Sequence, residues 1–200
     1  DNVGDTRHQE RAHAEKRDAD KEQAQGEEKA GRESRMSNLI IIRGPLGVGK
    51  TTISKHLAER LKGIHIAIDK VLEKHELDKV KGRCIPLQNF IKANKLILPE
   101  INKTLAKGKS VIIDGNFYHK GQITHLLKNA TQKGTVLTLT APIKTCIKRD
   151  SCRARTYGEC AARAVHNLVS GIKHGITINT ECRTINQTES RALSIIRKQR

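Results

Sequence analysis

The chain has no tryptophan and only two phenylalanines and two tyrosines in 200 residues. Four rings are too few for the stacked aromatic platform on which a general single-strand nucleic-acid binder lays successive bases. No apolar run approaches the roughly 18 residues of a membrane span, and the N-terminus has no apolar stretch of a secretory signal. The expectation is a soluble, cytoplasmic protein with no membrane partner. The five cysteines, Cys84, Cys146, Cys152, Cys160 and Cys182, are odd in number and show no CxxC pairing, which points to reduced thiols and away from a disulfide framework. A zinc site from Cys146, Cys152, Cys160 and His166 would match no common finger spacing. Cys146 and Cys160 instead fit the apolar stripes of their helices as small buried hydrophobes. No internal repeat of the 20–50-residue kind is present.

Acidic residues are scarce over most of the length. Residues 36–200 hold 30 basic and 11 acidic side chains, a balance of +19, whereas residues 1–35 hold 8 basic and 10 acidic, with one valine and no leucine, isoleucine or aromatic. A segment that cannot bury apolar surface cannot offset its conformational entropy, so 1–35 reads as a disordered charged leader outside the fold. Met36 is the only methionine and directly precedes the first apolar run, which makes it the expected native start. Residues 36–200 then suit one α/β domain.

Within that domain short apolar runs alternate with segments of helical period, the pattern of βαβ units and a parallel sheet. Strands are expected at Leu39–Ile42, Ile64–Ile68, Val111–Ile113, Thr135–Leu139 and Ile176–Ile178. Between them, Ile53, Leu57, Ala58 and Leu61 share one helical face, and Ile123, Leu126, Leu127 and Ala130 share another. The region Leu87–Leu105 reads as helix interrupted at Pro99. Pro142 opens a helix carrying Ile143, Cys146 and Ile147, another follows near Cys160–Val169, and Asn186 with Glu189 three later opens the last.

The strongest motif is Gly44-Pro45-Leu46-Gly47-Val48-Gly49-Lys50-Thr51, which satisfies GxxxxGK[ST] between a strand and an amphipathic helix. Glycines allow successive backbone N–H groups to surround phosphate oxygens, and the helix N-terminus adds its positive end. Lys50 would reach the β- and γ-phosphates of ATP and the Thr51 hydroxyl would ligate Mg²⁺. Thr52 extends this nucleotide-binding stretch, although its place is that of an ordinary helix residue.

A phosphate loop names a nucleotide, not a reaction. The guanine motif NKxD and the DxxG that follows a strand in GTPases are absent, and a single loop in a short chain suits a small kinase. Asp114, closing Val111-Ile112-Ile113, stands where such enzymes hold magnesium; its alternative is a helix-capping carboxylate. Asp69 follows the second strand run, and strand ends in a parallel sheet open onto one crevice. It is the candidate general base toward an acceptor hydroxyl, or an N-cap for a helix starting at Lys70. The run Lys148 to Arg155 reads as a lid, about 149–160, from which Arg149 or Arg153 could reach the migrating phosphoryl group, unless these cations are a solvated face.

Gly44 to Thr51, Asp69, Asp114-Gly115-Asn116 and Arg149-Asp150-x-x-Arg153 together resemble the small P-loop kinases of polynucleotide-kinase type, a group related to zeta-toxin and chloramphenicol-phosphotransferase kinases. The resemblance spans about residues 38–198. It implies a P-loop NTPase three-layer sandwich: a five-stranded parallel sheet, helices on both faces and a small helical lid. It further implies ATP·Mg²⁺ as donor and a hydroxyl acceptor. By the same likeness Asp69 activates the acceptor, Asp114 and Asn116 lie near it, Arg149 and Arg153 are lid arginines, and Ile176–Thr180 lies beside adenine. Two departures bear on the substrate. The absence of DxDGT leaves no attached phosphatase, and Asp69-Lys70-Val71 lacks the DxD that shikimate kinases place here.

The charge of +19 would attract polyanions, so a nucleic-acid or nucleotide 5′-hydroxyl is the expected acceptor, with a small-molecule hydroxyl as the alternative. Phe117, two residues after Gly115, could hold a terminal base, or belong to the core. A third reading is a nucleotide-dependent switch whose P-loop hydrolyses ATP slowly to control a partner.

Overall fold

The computed structural model describes residues 37–152 and 156–199; the expectations for the leader and for Met36 lie outside them. Five strands, β1 (Leu39–Arg43), β2 (Ile64–Ala67), β3 (Val111–Gly115), β4 (Gly134–Thr140) and β5 (Ile176–Asn179), form one sheet. Its order is β2-β3-β1-β4-β5 and every pairing is parallel. Among the described residues seven helices accompany it: α1 (Lys50–Arg60), α2 (Ile68–Lys74), α3 (Leu87–Ala106), α4 (Lys120–Asn129), α5 (Ile143–Ser151), α6 (Glu159–Ser170) and α7 (Ile185–Lys198). No helix among the described residues is long and apolar enough to cross a membrane.

The continuous apolar runs of β1 and β3 are explained by cover on both faces, since every residue of both strands is buried. Alternate side chains feed two cores. Leu39, Ile41, Val111 and Ile113 pack with Phe90, Ile97 and Ile101 of α3 and Ile123 and Leu126 of α4. Ile40, Ile42, Ile112, Leu137 and Leu139 pack with Ile53 and Leu57 of α1 and Ala192, Ile195 and Ile196 of α7. Each fully buried aliphatic side chain contributes about 1.5–3 kcal/mol of transfer free energy, so this double layer fixes the strand ends on which the site is built.

Three local expectations are corrected. The helix of Leu87–Ala106 runs unbroken through Pro99. Proline there deprives the carbonyl four residues back of its donor, but Lys95 and Pro99 both lie on the exposed side, where water can replace that bond, while the opposite face buries Phe90, Ala93, Ile97 and Ile101. The second strand stops at Ala67, and Ile68 begins α2. The last helix starts two residues earlier than expected: Thr184 is its N-cap, with Thr184 Oγ1 accepting from the Gln187 N–H and Gln187 Oε1 accepting from the Thr184 N–H. Glu189 instead turns inward to His56 Nδ1 and Arg60 Nε, each at 3.4 Å. Thr184→Ala should therefore cost about 1 kcal/mol and lower Tm by about 2–4 °C. Asn186→Ala, at an exposed site, should leave thermal unfolding unchanged.

Candidate active site

The strand order puts β3 and β2 on one side of β1 and β4 and β5 on the other. Connections leaving β1 thus diverge, and a crevice opens beyond its carboxyl end. The glycine loop fills the floor of that crevice between β1 and α1. Gly47 has φ 77°, and a Cβ there would come within 2.0 Å of the Cys146 carbonyl oxygen, so only glycine lets the loop lie against α5. Gly49 has φ 96° and faces open space, with nothing within 4 Å of where a Cβ would stand. The N-terminus of α1 behind it has no side-chain cap and no acid in its first turn, which leaves its N–H groups and positive end directed at that space.

Lys50 is buried at 7% exposure; its Nζ donates to the Pro45 carbonyl at 2.9 Å and to Asn116 Oδ1 at 3.0 Å. Next to it the Thr51 hydroxyl donates to Asp114 Oδ2 at 2.7 Å. The other carboxylate oxygen, Oδ1, is 2.5 Å from His65 Nε2. Asp114 is therefore no helix cap; it is the penultimate residue of β3 and faces the first turn of α1. Asp69 is not an N-cap either: Ala67 holds that position, and Asp69 lies inside the first turn of α2. It is half-buried against the cleft, and burial pushes its carboxyl above the usual carboxylate range. The Lys50 ammonium pulls the other way, and the neighbouring Asp114 charge adds to the rise. Asp69 thus feels the charges of both Lys50 and Asp114.

Against the glycine loop and toward β5, a recess of about 370 Å³ is lined by Gly47–Gly49, Thr52, Arg149, Thr180 and Arg183, among others. Arg149 is anchored there: its guanidinium donates to Thr180 Oγ1 at 3.0 Å and to the Thr180 carbonyl at 2.9 Å. It stands with the β5 loop and lines the same recess as Gly47, Val48 and Gly49 of the glycine loop. Arg153 lies outside the described residues. Of the expected lid, Asp150 is buried and its Oδ2 accepts from the Thr156 hydroxyl and the Tyr157 N–H, both at 3.0 Å, which ties the end of α5 to the segment leading into α6.

Phe117 is fully buried, so its ring is part of the core and is not presented to a base. Tyr118 is nearly so, its phenol pushed up to about 12 chiefly by burial, and its hydroxyl oxygen accepts from the Ile85 N–H at 3.1 Å. Cys146 is buried as expected, but Cys160 is exposed, because it falls in the first turn of α6. His166 Nε2 lies 3.1 Å from the Ala141 carbonyl, and no group of three His, Cys, Asp or Glu side chains among the described residues could hold a metal.

Two residues of the site region escaped the sequence: His65, and Arg43 at the end of β1. Both were hidden because their partners lie far off in the chain: Asp114 for His65, and Phe117, Thr138, Val169 and Ile172 for Arg43. His65 sits in a run that reads only as apolar strand, and Arg43 follows four apolar residues in the manner of a surface charge.

Among solved structures, a sugar kinase from Janibacter sp. HTCC2649 is similar with TM-score 0.65 and 18% identity, over 80% of this chain and 95% of that one. A tunicamycin resistance protein from Deinococcus radiodurans (0.60, 20%, 80% and 95%) and a shikimate kinase from Acinetobacter baumannii (0.56, 21%, 83% and 96%) share the same fold. No curated protein matches the sequence. Residues 39–170 match the AAA domain family, and with well over half of its length so matched the chain belongs to that family.

Proposed function

We propose that this protein is an ATP-dependent kinase that transfers the γ-phosphoryl group to an acceptor hydroxyl. The observation that carries the reading is the convergence of Lys50, Thr51, Asp114 and Asp69 at the carboxyl ends of adjacent strands, around open space in front of the α1 N-terminus. The loop amides and Lys50 hold the phosphates; Lys50, preset by Asn116, neutralises charge on the transferring group. Thr51 and Asp114 offer hard oxygen donors 2.7 Å apart, a pair suited to Mg²⁺, whose remaining ligands come from phosphate and water. Bound there, the ion neutralises phosphate charge. Asp69 takes the acceptor proton as the acceptor oxygen bonds to the γ-phosphorus and the bond to the ADP oxygen breaks. The recess beside Arg149 and Thr180 suits the base, with Arg149 serving the nucleotide from that side.

Two acceptors have support. The +19 balance of residues 36–200 favours a nucleic-acid or nucleotide 5′-hydroxyl held through its phosphates. The burial of Phe90, Phe117 and Tyr118 leaves Tyr157 as the one exposed phenylalanine or tyrosine ring among the described residues that could stack a terminal base, which favours a small hydroxyl compound, in keeping with the sugar kinase among the structural relatives. Incubation with γ-labelled ATP, Mg²⁺, 5′-hydroxyl RNA and DNA, nucleosides, sugars and small alcohols separates them. Label should pass to an acceptor, and Lys50→Ala should lower transfer by about 10²–10³-fold. Free phosphate with no labelled acceptor would overturn the kinase reading in favour of an ATP-driven switch.

A further inference from the structure

The Asp114 carboxylate is 3% exposed and has both oxygens engaged, Oδ2 by Thr51 and Oδ1 by His65. Its terminal torsion is soft and roughly two-fold, so one hydrogen bond from a cleft-facing threonine would leave the carboxylate free to swing. A second donor on the opposite oxygen removes that freedom. His65 is placed for this by sheet register alone. Ala67 pairs with Asp114 and His65 with Ile112, and residues two apart on a strand share a face, so His65 lies one pleat back from Asp114 on the α1 side. An ionised carboxylate only accepts, so Nε2 carries the proton.

We infer that His65 is a positioning residue for the divalent cation: its Nε2–H locks Asp114 so that Asp114 and Thr51 present a fixed pair of oxygens to the ion that accompanies the nucleotide. The inference rests on the magnesium reading above and adds a residue that the glycine-loop motif does not contain. Partners one shell out commonly shift metal affinity by about 10–100-fold by fixing ligand orientation. At 16% side-chain exposure on an edge strand, His65 contributes little else that a leucine could not.

The test is Mn²⁺ binding, followed by the electron paramagnetic resonance of free ion, to the full chain with a non-hydrolysable ATP analogue. His65→Leu keeps the volume and removes the donor. His65→Gln puts an amide nitrogen close to where Nε2 stood, and His65→Asn carries a donor too short to reach. Leu and Asn variants should bind Mn²⁺ about 10–100-fold more weakly, and Gln should recover most of the loss. Turnover should fall steeply at limiting metal and much less at saturating metal, a split that a packing defect would not produce. Wild-type Mn²⁺ affinity in folded His65→Leu, or in His65→Asn should Leu not fold, overturns the role of His65 and leaves the magnesium reading intact. Gln as weak as Leu overturns it as well. If the wild type binds no Mn²⁺ with nucleotide, the magnesium reading falls and this inference with it.

Discussion

Asp69→Asn is expected to lower turnover by about 10²–10⁴-fold, the usual contribution of a positioned general base, with ATP affinity measured by calorimetry within about twofold of wild type. The amide fills the same volume and cannot take a proton, so the loss should appear in kcat, not in nucleotide binding. The raised pKa of Asp69, caused first by burial and held back by Lys50, adds a second readout. Activity needs the ionised form, so the acidic limb of the wild-type pH profile should lie above the usual carboxylate range and vanish in the variant. Stability moves the opposite way. A carboxyl whose folded pKa is raised binds its proton more tightly folded than unfolded, so wild-type stability should fall as pH rises from the ordinary carboxylate pKa through the raised one, then level off. Asp69→Asn has no such step and should be the more stable of the two at neutral pH. Unchanged turnover would remove Asp69 from the chemistry, and a variant without the stability gain would mean that its burial carries no charge penalty.

The parts of this protein that could be read from sequence are those whose signal is local. Four apolar residues followed by GxxxxGKT fix a strand, a phosphate loop and a helix in one stretch, because glycine torsions and helix amphipathicity depend on near neighbours. The alternation of apolar runs with helical faces then gave five strands whose boundaries moved by only one or two residues. What stayed hidden was set by local competition or by long-range contact. Thr184 with Gln187 and Asn186 with Glu189 are both cap-like spacings, and Glu189 was claimed by His56 and Arg60 of α1. Pro99 broke nothing because the bond it removes faces water. Arg149 sits within a basic run whose spacing cannot say that Thr180, 31 residues on, captures the guanidinium. Phe117 follows a site motif directly, yet a φ of 45° turns the chain there and the ring is buried.

Arg43→Met should be the most damaging substitution to the fold itself. Arg43 is fully buried, and burial lowers its pKa. Its donors go to the carbonyls of Phe117 (3.2 Å), Ile172 (2.7 Å) and Val169 (2.9 Å) and to Thr138 Oγ1 (3.3 Å). A buried ion pair can often be replaced by apolar side chains without loss because both partners change together. Here the partners are mostly backbone carbonyls that no substitution can remove, and each left unmet costs about 1–3 kcal/mol. Recovering the desolvation of one guanidinium offsets only part of that, so a net loss of about 3–5 kcal/mol is expected, or about 6–20 °C in Tm at 2–4 °C per kcal/mol. Lysine should rescue little, since an ammonium cannot span carbonyls on separate segments as the planar fork does. Two of those carbonyls, at Val169 and Ile172, belong to the last turn and exit of α6, whose negative end a cation stabilises. The third belongs to Phe117, a non-glycine residue at positive φ that needs outside support and that follows Asn116, the partner of Lys50. Loss of Arg43 should therefore loosen Asn116 as well. Below its lowered Tm, Arg43→Met should transfer phosphate more slowly than wild type, and wild-type turnover there would confine Arg43 to a role in stability.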